Sequence, residues 1–374
     1  MKILILNWRD LSHPQVGGAE IRLFQVYSRL VAKGHKVRLH CSGFDGGSDF
    51  ETLKGIEVFR HGGDSFFQLQ CIIKLRSWIR EYEPDIVVED FNKLPFFSKL
   101  LHGQPKLIQV HHLWKKSIFK ESNFAVALLV WTMEQSLRFF YHRVPFCSVS
   151  ESTTKELHEY SINPKKVTTI HNGFQWDWLK DNQDELGQEF MPSLVKPYFI
   201  WLGRLQRYKG IDDAIDGFEK FCEDDGIHDL YIAGSGPDAS RLKEKVKLSK
   251  VRNRIHFLGY VDEITKFKWI KHAKALIQTS YKEGWGLTVI EANSVNTIVV
   301  ANNAPGLVDS VQDKKTGFLY DFGDSDSLAE KLTYIVENPE ELSSLEEQAF
   351  LWAKNFTWDR CALETEKLIS EIIE

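Results

Sequence analysis

Ser280-Tyr281-Lys282-Glu283-Gly284-Trp285-Gly286-Leu287-Thr288-Val289-Ile290-Glu291-Ala292 follows a short apolar run, Ala275–Gln278. The run reads as a buried strand that ends near Gln278. A glycine-bearing loop comes next, and a helix starts near Leu287. This strand–loop–helix unit recurs along the chain. Upstream, strands are predicted at Ile3–Leu6, Lys36–Cys41, Ile86–Val88, Leu107–Val110 and Phe146–Val149, with helices at Ala19–Lys33 and Leu69–Tyr82. Around the quoted stretch lie strands at Tyr198–Leu202, Asp229–Ala233, Ile255–Leu258 and Ile298–Ala301, and helices at Ile211–Cys222, Ala239–Leu248 and Ser327–Glu337. Alternation of this kind implies parallel sheets covered by helices on both faces.

At roughly 150 residues per domain, the 374 residues make two domains. The alternation breaks over 179–197, where Asp181-Asn182-Gln183-Asp184-Glu185 is polar and Pro192 and Pro197 punctuate the chain. That stretch reads as a linker. The expected division is 1–180, with a terminal helix at 358–374, and 193–355. The expected fold class is α/β, with two Rossmann-like parallel-sheet domains facing across a cleft that forms the default ligand site.

Composition excludes several classes. Hydrophobic residues at 43% and charged residues at 26% fit a soluble globular chain. The net charge of −5 gives no overall basic field for nucleic acid. The longest apolar run, Phe124–Trp131, has eight residues, whereas a spanning helix needs about 20. The apolar stretch after Met1 is too short for a signal peptide. Five cysteines at wide spacings, with no C-x-x-C, fit a reduced cytoplasmic protein without structural zinc. Phosphate-loop, H-E-x-x-H and G-x-S-x-G motifs are absent, so kinase, metalloprotease and serine hydrolase readings have no support.

The motifs fall just after strands. In the quoted loop, Gly284 and Gly286 let backbone approach a ligand, and free N–H groups at the start of a helix attract anions. Glu283 and Glu291 suit hydroxyl groups flanking a phosphate; the alternative is a solvated loop acid and a surface helix residue. Gly203-Arg204-Leu205-Gln206-Arg207-Tyr208-Lys209-Gly210 pairs a guanidinium fork with a lysine point charge, a combination suited to a diphosphate. The alternative is two solvated cations. Gly234-Ser235-Gly236-Pro237-Asp238-Ala239 has the G-x-G-x-x-A form, and either packs against a base or simply connects elements. Gly17 and Gly18 open a helix after the first strand. His111 and His112 end the strand Leu107–Val110, where an imidazole serves either a sugar or the core.

Taken in order along nearly the whole chain, Gly17-Gly18-Ala19-Glu20, His111, Gly203-Arg204-Leu205 with Lys209-Gly210, Gly234-Ser235-Gly236-Pro237, and Glu283-Gly284-Trp285-Gly286-Leu287 with Glu291 resemble the retaining glycosyltransferases of family four (group 1), with the GT-B fold. The resemblance implies that Arg204 and Lys209 hold the donor diphosphate, Glu283 the transferred sugar and Glu291 the ribose. It also implies that Gly286, Leu287 and Thr288 cradle phosphate, and that Gly203, Gly234, Gly259 and Gly284 lie in the donor site, Gly234 and Gly259 near the base. Gly17 and Gly18 would loop over the donor phosphate, and His111 would touch the sugar. The catalytic set implied is Glu283, His111, Arg204 and Lys209. The terminal helix would return to the first domain.

Where the family often has two glycines and a proline, this chain reads Asn303-Ala304-Pro305-Gly306, a loop expected to contribute little. His112 stands where the family often has a small or acidic residue, which leaves His111 and His112 both open. The implied reaction moves a sugar from a nucleotide-diphosphate donor to a carbohydrate or lipid-linked hydroxyl, with retention and without a metal or other cofactor. No protein nucleophile is assigned. The competing readings are a GT-B nucleotide-sugar epimerase, a dinucleotide-dependent oxidoreductase and a noncatalytic sugar-nucleotide-binding subunit. Trp114-Lys115-Lys116-Ser117-Ile118-Phe119-Lys120, followed by Phe124–Phe140, mixes aromatic and basic residues. It reads either as a peripheral membrane contact on the cytoplasmic face or as a core helix with a solvated basic end.

Overall fold

The computed structural model describes residues 1–63, 67–92, 94–100, 103–188, 196–224 and 226–374. Part of the expected linker, 189–195, lies outside them. The chain divides into two units, Met1–Gly173 with Thr357–Glu374, and Phe174–Phe356. Residues 174–180, expected with the first domain, lie in the second unit. There the Phe174 and Trp178 rings pack on Phe267 at 5.8 and 5.0 Å.

The first unit holds an eight-stranded sheet. Its strands are β1 (Lys2–Leu6), β2 (Lys36–Ser42), β3 (Phe50–Leu53), β4 (Ile56–His61), β5 (Ile86–Phe91), β6 (Lys106–Val110), β7 (Phe146–Ser148) and β8 (Val167–Thr169), in the order β3-β4-β2-β1-β5-β6-β7-β8. Every pairing is parallel except β3 with β4. These two form a hairpin that the alternation did not reveal. Its two-residue turn, Lys54-Gly55, has both φ angles positive, at 49° and 79°, the twist that joins antiparallel strands tightly.

In the second unit β9 (Tyr198–Leu202), β10 (Asp229–Ala233), β11 (Ile255–Gly259), β12 (Leu276–Gln278), β13 (Val299–Asn302) and β14 (Gly317–Tyr320) form an all-parallel sheet, ordered β11-β10-β9-β12-β13-β14. Alternate residues of β9 feed separate cores. Phe199 and Trp201 pack with Ile211, Phe218 and Leu332 on one face, while Tyr198 and Ile200 pack with Ile270 and Val289 on the other. Both layers are apolar because helices cover both faces of the parallel strands.

The helix Trp358–Ile373 packs within the first unit against the helix Gly18–Ala32. Arg29 meets Asp359 at 2.6 Å, and Glu366 takes Lys33 at 2.5 Å and His35 at 2.8 Å. The chain passes so closely that a Cβ on Gly173 would lie 2.2 Å from the Trp358 nitrogen.

Strand order reverses direction between β1 and β5 in one sheet and between β9 and β12 in the other. Ligands of open α/β sheets bind beyond the carboxyl ends of strands at such switch points. The loops after β9 and β12 carry Arg204, Lys209 and Glu283, and those after β1 and β6 carry Gly17 and His111.

Candidate active site

At the β9–β12 switch point, Lys209 Nζ donates to Glu283 Oε1 at 2.5 Å, and Ser280 Oγ donates to the same oxygen at 2.6 Å. The Lys209 and Glu283 side chains are 15% and 16% exposed. Burial alone would lower the Lys209 ammonium, but the Glu283 carboxylate and Tyr208 outweigh it and hold the group above the ordinary lysine value, against the nearby Arg204 charge. Lys209 is therefore fully charged at neutral pH.

Thr279, which the sequence reading passed over, and Gly210 fix the lysine loop. Thr279 Oγ1 accepts from Trp201 Nε1 at 3.0 Å and donates to the Lys209 carbonyl at 2.8 Å. Gly210 turns the loop with φ +62°, and a Cβ there would lie 2.2 Å from the Thr279 carbonyl oxygen. The buried β9 indole thus anchors the segment that presents Lys209.

The loop Asn303-Ala304-Pro305-Gly306, expected to matter little, braces Glu283. The Glu283 N–H donates to Pro305 O at 3.1 Å. Gly306 has φ +83°, and its Cβ would lie 2.3 Å from Glu283 O.

Gly286 caps the seven-residue helix Leu287–Asn293 with φ +81°. Thr288 Oγ1 accepts from Gln278 Nε2 at 2.7 Å, which ties the first helical turn to the end of β12. Glu291, on the same helix, is not a solvated residue. Its Oε1 takes Lys266 Nζ at 3.1 Å, and Lys266 also bonds Glu263 at 2.8 Å. Burial works against the Lys266 charge, but Glu291 and Glu263 raise the group overall. Lys266 was missed because its helix, Glu263–Lys271, carries no motif.

The strand-end glycines lie side by side. Gly203 N–H donates to Ala233 O at 3.1 Å, and Gly234 N–H to Gly259 O at 2.7 Å. A Cβ on Gly234 would fall 1.8 Å from Gly203 O, and one on Gly236 2.3 Å from Leu205 O. The glycines of the G-x-G-x-x-A turn are thus required by close approach to the Arg204 loop, a demand that a dinucleotide is not needed to explain.

In the first unit, Gly17 N–H donates to Glu20 Oε2 at 2.7 Å. Burial pushes the Glu20 carboxyl up against this bond, and the Asp90 charge pushes the same way. His111 is 8% exposed, and its Nε2 lies 3.1 Å from Asp90 Oδ2. Thr153 Oγ1 donates to the His111 carbonyl at 3.2 Å. His112 is half-buried, with its ring 5.0 Å from that of Trp114. Glu20 and Asp90 are thus buried carboxylates, the first on the Gly17 loop and the second on His111; Asp90, which extends the predicted strand Ile86–Val88, had not been singled out.

Residues 183–352 match the family described as glycosyl transferases group 1, and residues 16–177 match glycosyltransferase family 4. Among curated proteins, N-acetyl-alpha-D-glucosaminyl L-malate synthase of Bacillus anthracis is 23% identical over 54% of this chain and 52% of its own. The chain thus spans about half the length of the curated relatives it first matches. Sucrose-phosphate synthase from Thermosynechococcus elongatus superposes with a TM-score of 0.81 at 18% identity, over 99% of this chain and 98% of that one. HepE of Anabaena, solved in complex with UDP-glucose, gives 0.73 at 18% identity, over 99% and 100%. These structural likenesses establish the fold, which is GT-B. With two family matches placed end to end over the two units, the chain belongs to the group 1, family 4 glycosyltransferases.

Proposed function

We infer that the protein transfers a sugar, of the hexosyl type, from a nucleoside-diphosphate donor to a hydroxyl on a carbohydrate or lipid-linked acceptor, with retention. The observation that carries this reading is the Lys209–Glu283 pair beside Arg204 at the β9–β12 switch point. A leaving diphosphate gains negative charge as the sugar C1–O bond breaks, and fixed cations stabilise that charge where it develops. Lys209 has three N–H donors. One meets Glu283, so the others remain for phosphate oxygens. Among the described residues, the side-chain hydrogen bonds from Lys209 and Ser280 both fall on Glu283 Oε1, which offers Oε2 to a sugar hydroxyl. Side-chain cations then supply the charge without a metal. Following the family resemblance, Glu291 takes the ribose, Gly286, Leu287 and Thr288 the phosphates, Gly17 and Gly18 the donor phosphate loop, and His111 the sugar. HepE binding UDP-glucose supports a nucleotide-sugar donor.

The test is a thermal-shift screen of nucleotide sugars followed by transfer assays, with the product anomer read by NMR. A bound donor stabilises the fold in proportion to occupancy. Arg204→Ala should abolish the shift and lower transfer by roughly 10²–10³. Unchanged transfer in that variant overturns the diphosphate assignment, and an inverted anomer overturns retention.

A further inference from the structure

Arg22 is buried on the inner side of the helix Gly18–Ala32, a place where arginine is rare unless it is paired. Its Nη1 donates to Ile170 O at 3.0 Å, Asn172 Oδ1 at 2.9 Å and Cys361 Sγ at 3.1 Å. Its Nη2 donates to Gln109 Oε1 at 3.3 Å and Cys147 Sγ at 3.5 Å. No carboxylate is among these acceptors. Burial pushes the Cys147 thiol up to about 12, and it raises the Cys361 thiol and the neighbouring Tyr27 phenol as well. All three groups are therefore neutral at pH 7. The guanidinium, which does not lose its proton, finds no counter-charge among its direct partners.

The counter-charge stands one strand away. Asp90, Gln109 and Cys147 are register partners on β5, β6 and β7 and so point the same way. Adjacent strands are about 4.8 Å apart, and Gln109, the middle member of the row, is held by Arg22. Arg22, Gln109 and Asp90 line one small cavity together with Tyr27 and Thr365. Asp90 offers Oδ2 to His111 Nε2 at 3.1 Å, while its Oδ1 is buried with no hydrogen-bond partner among the described residues. A buried cation that bonds no carboxylate and a buried carboxylate with an open oxygen thus share one cavity. Unbalanced charge in such a place is costly, so each balances the other. Glu20 is the remaining acid facing Asp90 and His111; burial raises it, and the Gly17 N–H holds it.

We propose that Arg22 is a positioning residue: its charge balances Asp90 and so keeps His111 a neutral imidazole, with the proton on Nε2 facing Asp90 and with Nδ1 bare. Without Arg22 the buried pair of Asp90 and His111 carries a net negative charge, which draws a second proton onto the ring. The consequence for transfer rests on the proposed function: a neutral ring accepts a sugar hydroxyl at Nδ1, and a charged ring has only donors.

The full chain, made with isotopically labelled histidine, is read by nitrogen NMR, and His111 is assigned by the signals lost in His111→Gln. In the wild type at pH 7, Nδ1 should have the shift of an unprotonated ring nitrogen and Nε2 that of a protonated one. Arg22→Met should protonate both nitrogens at pH 7, moving the ring's titration, and with it the acid limb of the kcat/KM profile, up by about one pH unit or more. Arg22→Met with Asp90→Asn should restore the neutral ring, because both charges leave together, and Arg22→Lys should keep it. Asp90→Asn alone spares every bond of Arg22 and acts in the opposite direction, holding the ring neutral to about one pH unit below the wild type; it decides the matter if circular dichroism shows Arg22→Met unfolded. The proposal is overturned if the wild-type ring carries both protons at pH 7, if folded Arg22→Met keeps the wild-type ring state, or if Asp90→Asn titrates at or above the wild type. The NMR measurement needs no substrate, so a chain that transfers no sugar would defeat the proposed function and leave this test standing.

Discussion

Consider the Lys209–Glu283 pair without any donor. Replacing Lys209 by Met leaves Glu283 buried with Ser280 as its remaining partner. Breaking a buried ion pair from one side costs roughly 3–5 kcal/mol. Here each side chain keeps about 15% of its exposure, and Ser280 still donates, so a cost of about 2–3 kcal/mol is expected. Glu283→Gln should cost a similar amount, because it strands a buried ammonium. The double variant should cost much less than the sum, since both charges leave together. The pH dependence follows from the raised Lys209 value. A lysine held above its ordinary 10.5 in the fold contributes its stability fully below that value and loses it as pH rises through the folded one. The coupling should therefore be flat from neutral pH upward and vanish only beyond about 10.5. Urea denaturation of wild type, both single variants and the double variant at neutral pH measures it directly. Additive single effects would refute the claim that the two side chains form one energetic unit.

Three further outcomes follow from the same geometry. Gly234→Ala drives a methyl to within 1.8 Å of Gly203 O, whereas Gly259→Ala meets nothing within 4 Å; the first should cost about 3 kcal/mol or more, the second only the left-handed penalty of about 1–2, both read by urea midpoint. Asp213 is pushed up to about 6, chiefly by burial, and its Oδ2 is buried without a partner among the described residues. Since the folded value exceeds the ordinary 3.8, the fold loses stability as pH rises through about 6. Asp213→Asn should then stabilise by about 1–2 kcal/mol above that pH and make no difference near pH 4, a contrast visible in melting curves at the two pH values. Asp90→Asn removes the charge facing His111 Nε2 at 3.1 Å; losing one charged hydrogen bond of about 1.5–3 kcal/mol should lower kcat/KM roughly ten- to hundredfold while leaving nucleotide affinity, measured by calorimetry, intact.

Much of the fold is legible in the sequence because parallel strands are buried on both faces and become uninterrupted apolar runs. Tyr198–Leu202 and Asp229–Ala233 have the predicted bounds in the structure. The strands that escaped notice are Phe50–Leu53, Ile56–His61, Val167–Thr169 and Gly317–Tyr320, three of them at sheet edges. Phe50–Leu53 shows half-exposed alternation, and Val167–Thr169 is short and not fully buried. Neither forms an apolar run, so composition alone does not separate them from loops. The boundary between the units was misjudged for a related reason. Phe174, Trp176 and Trp178 are apolar without strand or long-helix periodicity, and what assigns them is the ring contact with Phe267, far away in sequence.

The candidate site divides along the same line. Arg204, Lys209 and Glu283 stand out in the sequence as charged residues among glycines just after buried strands, and Glu291 as an acid one turn into the helix that follows. Their supports are not legible, because support is a pairwise property. Thr279 matters through a carbonyl on another loop, Lys266 through a carboxylate one helix away, and Gly306 through the space that the Glu283 backbone occupies. Each pair joins loops leaving the ends of different parallel strands or helices, so the partners are brought together by sheet order and not by spacing. The Gly234 turn makes the point most sharply. Read as a string it resembles a nucleotide fingerprint, but in space its first glycine is demanded by Gly203 O at 1.8 Å from where a Cβ would stand. A glycine motif therefore tells where backbone must come close, and only the neighbouring strand reveals whether what it approaches is a ligand or the protein itself.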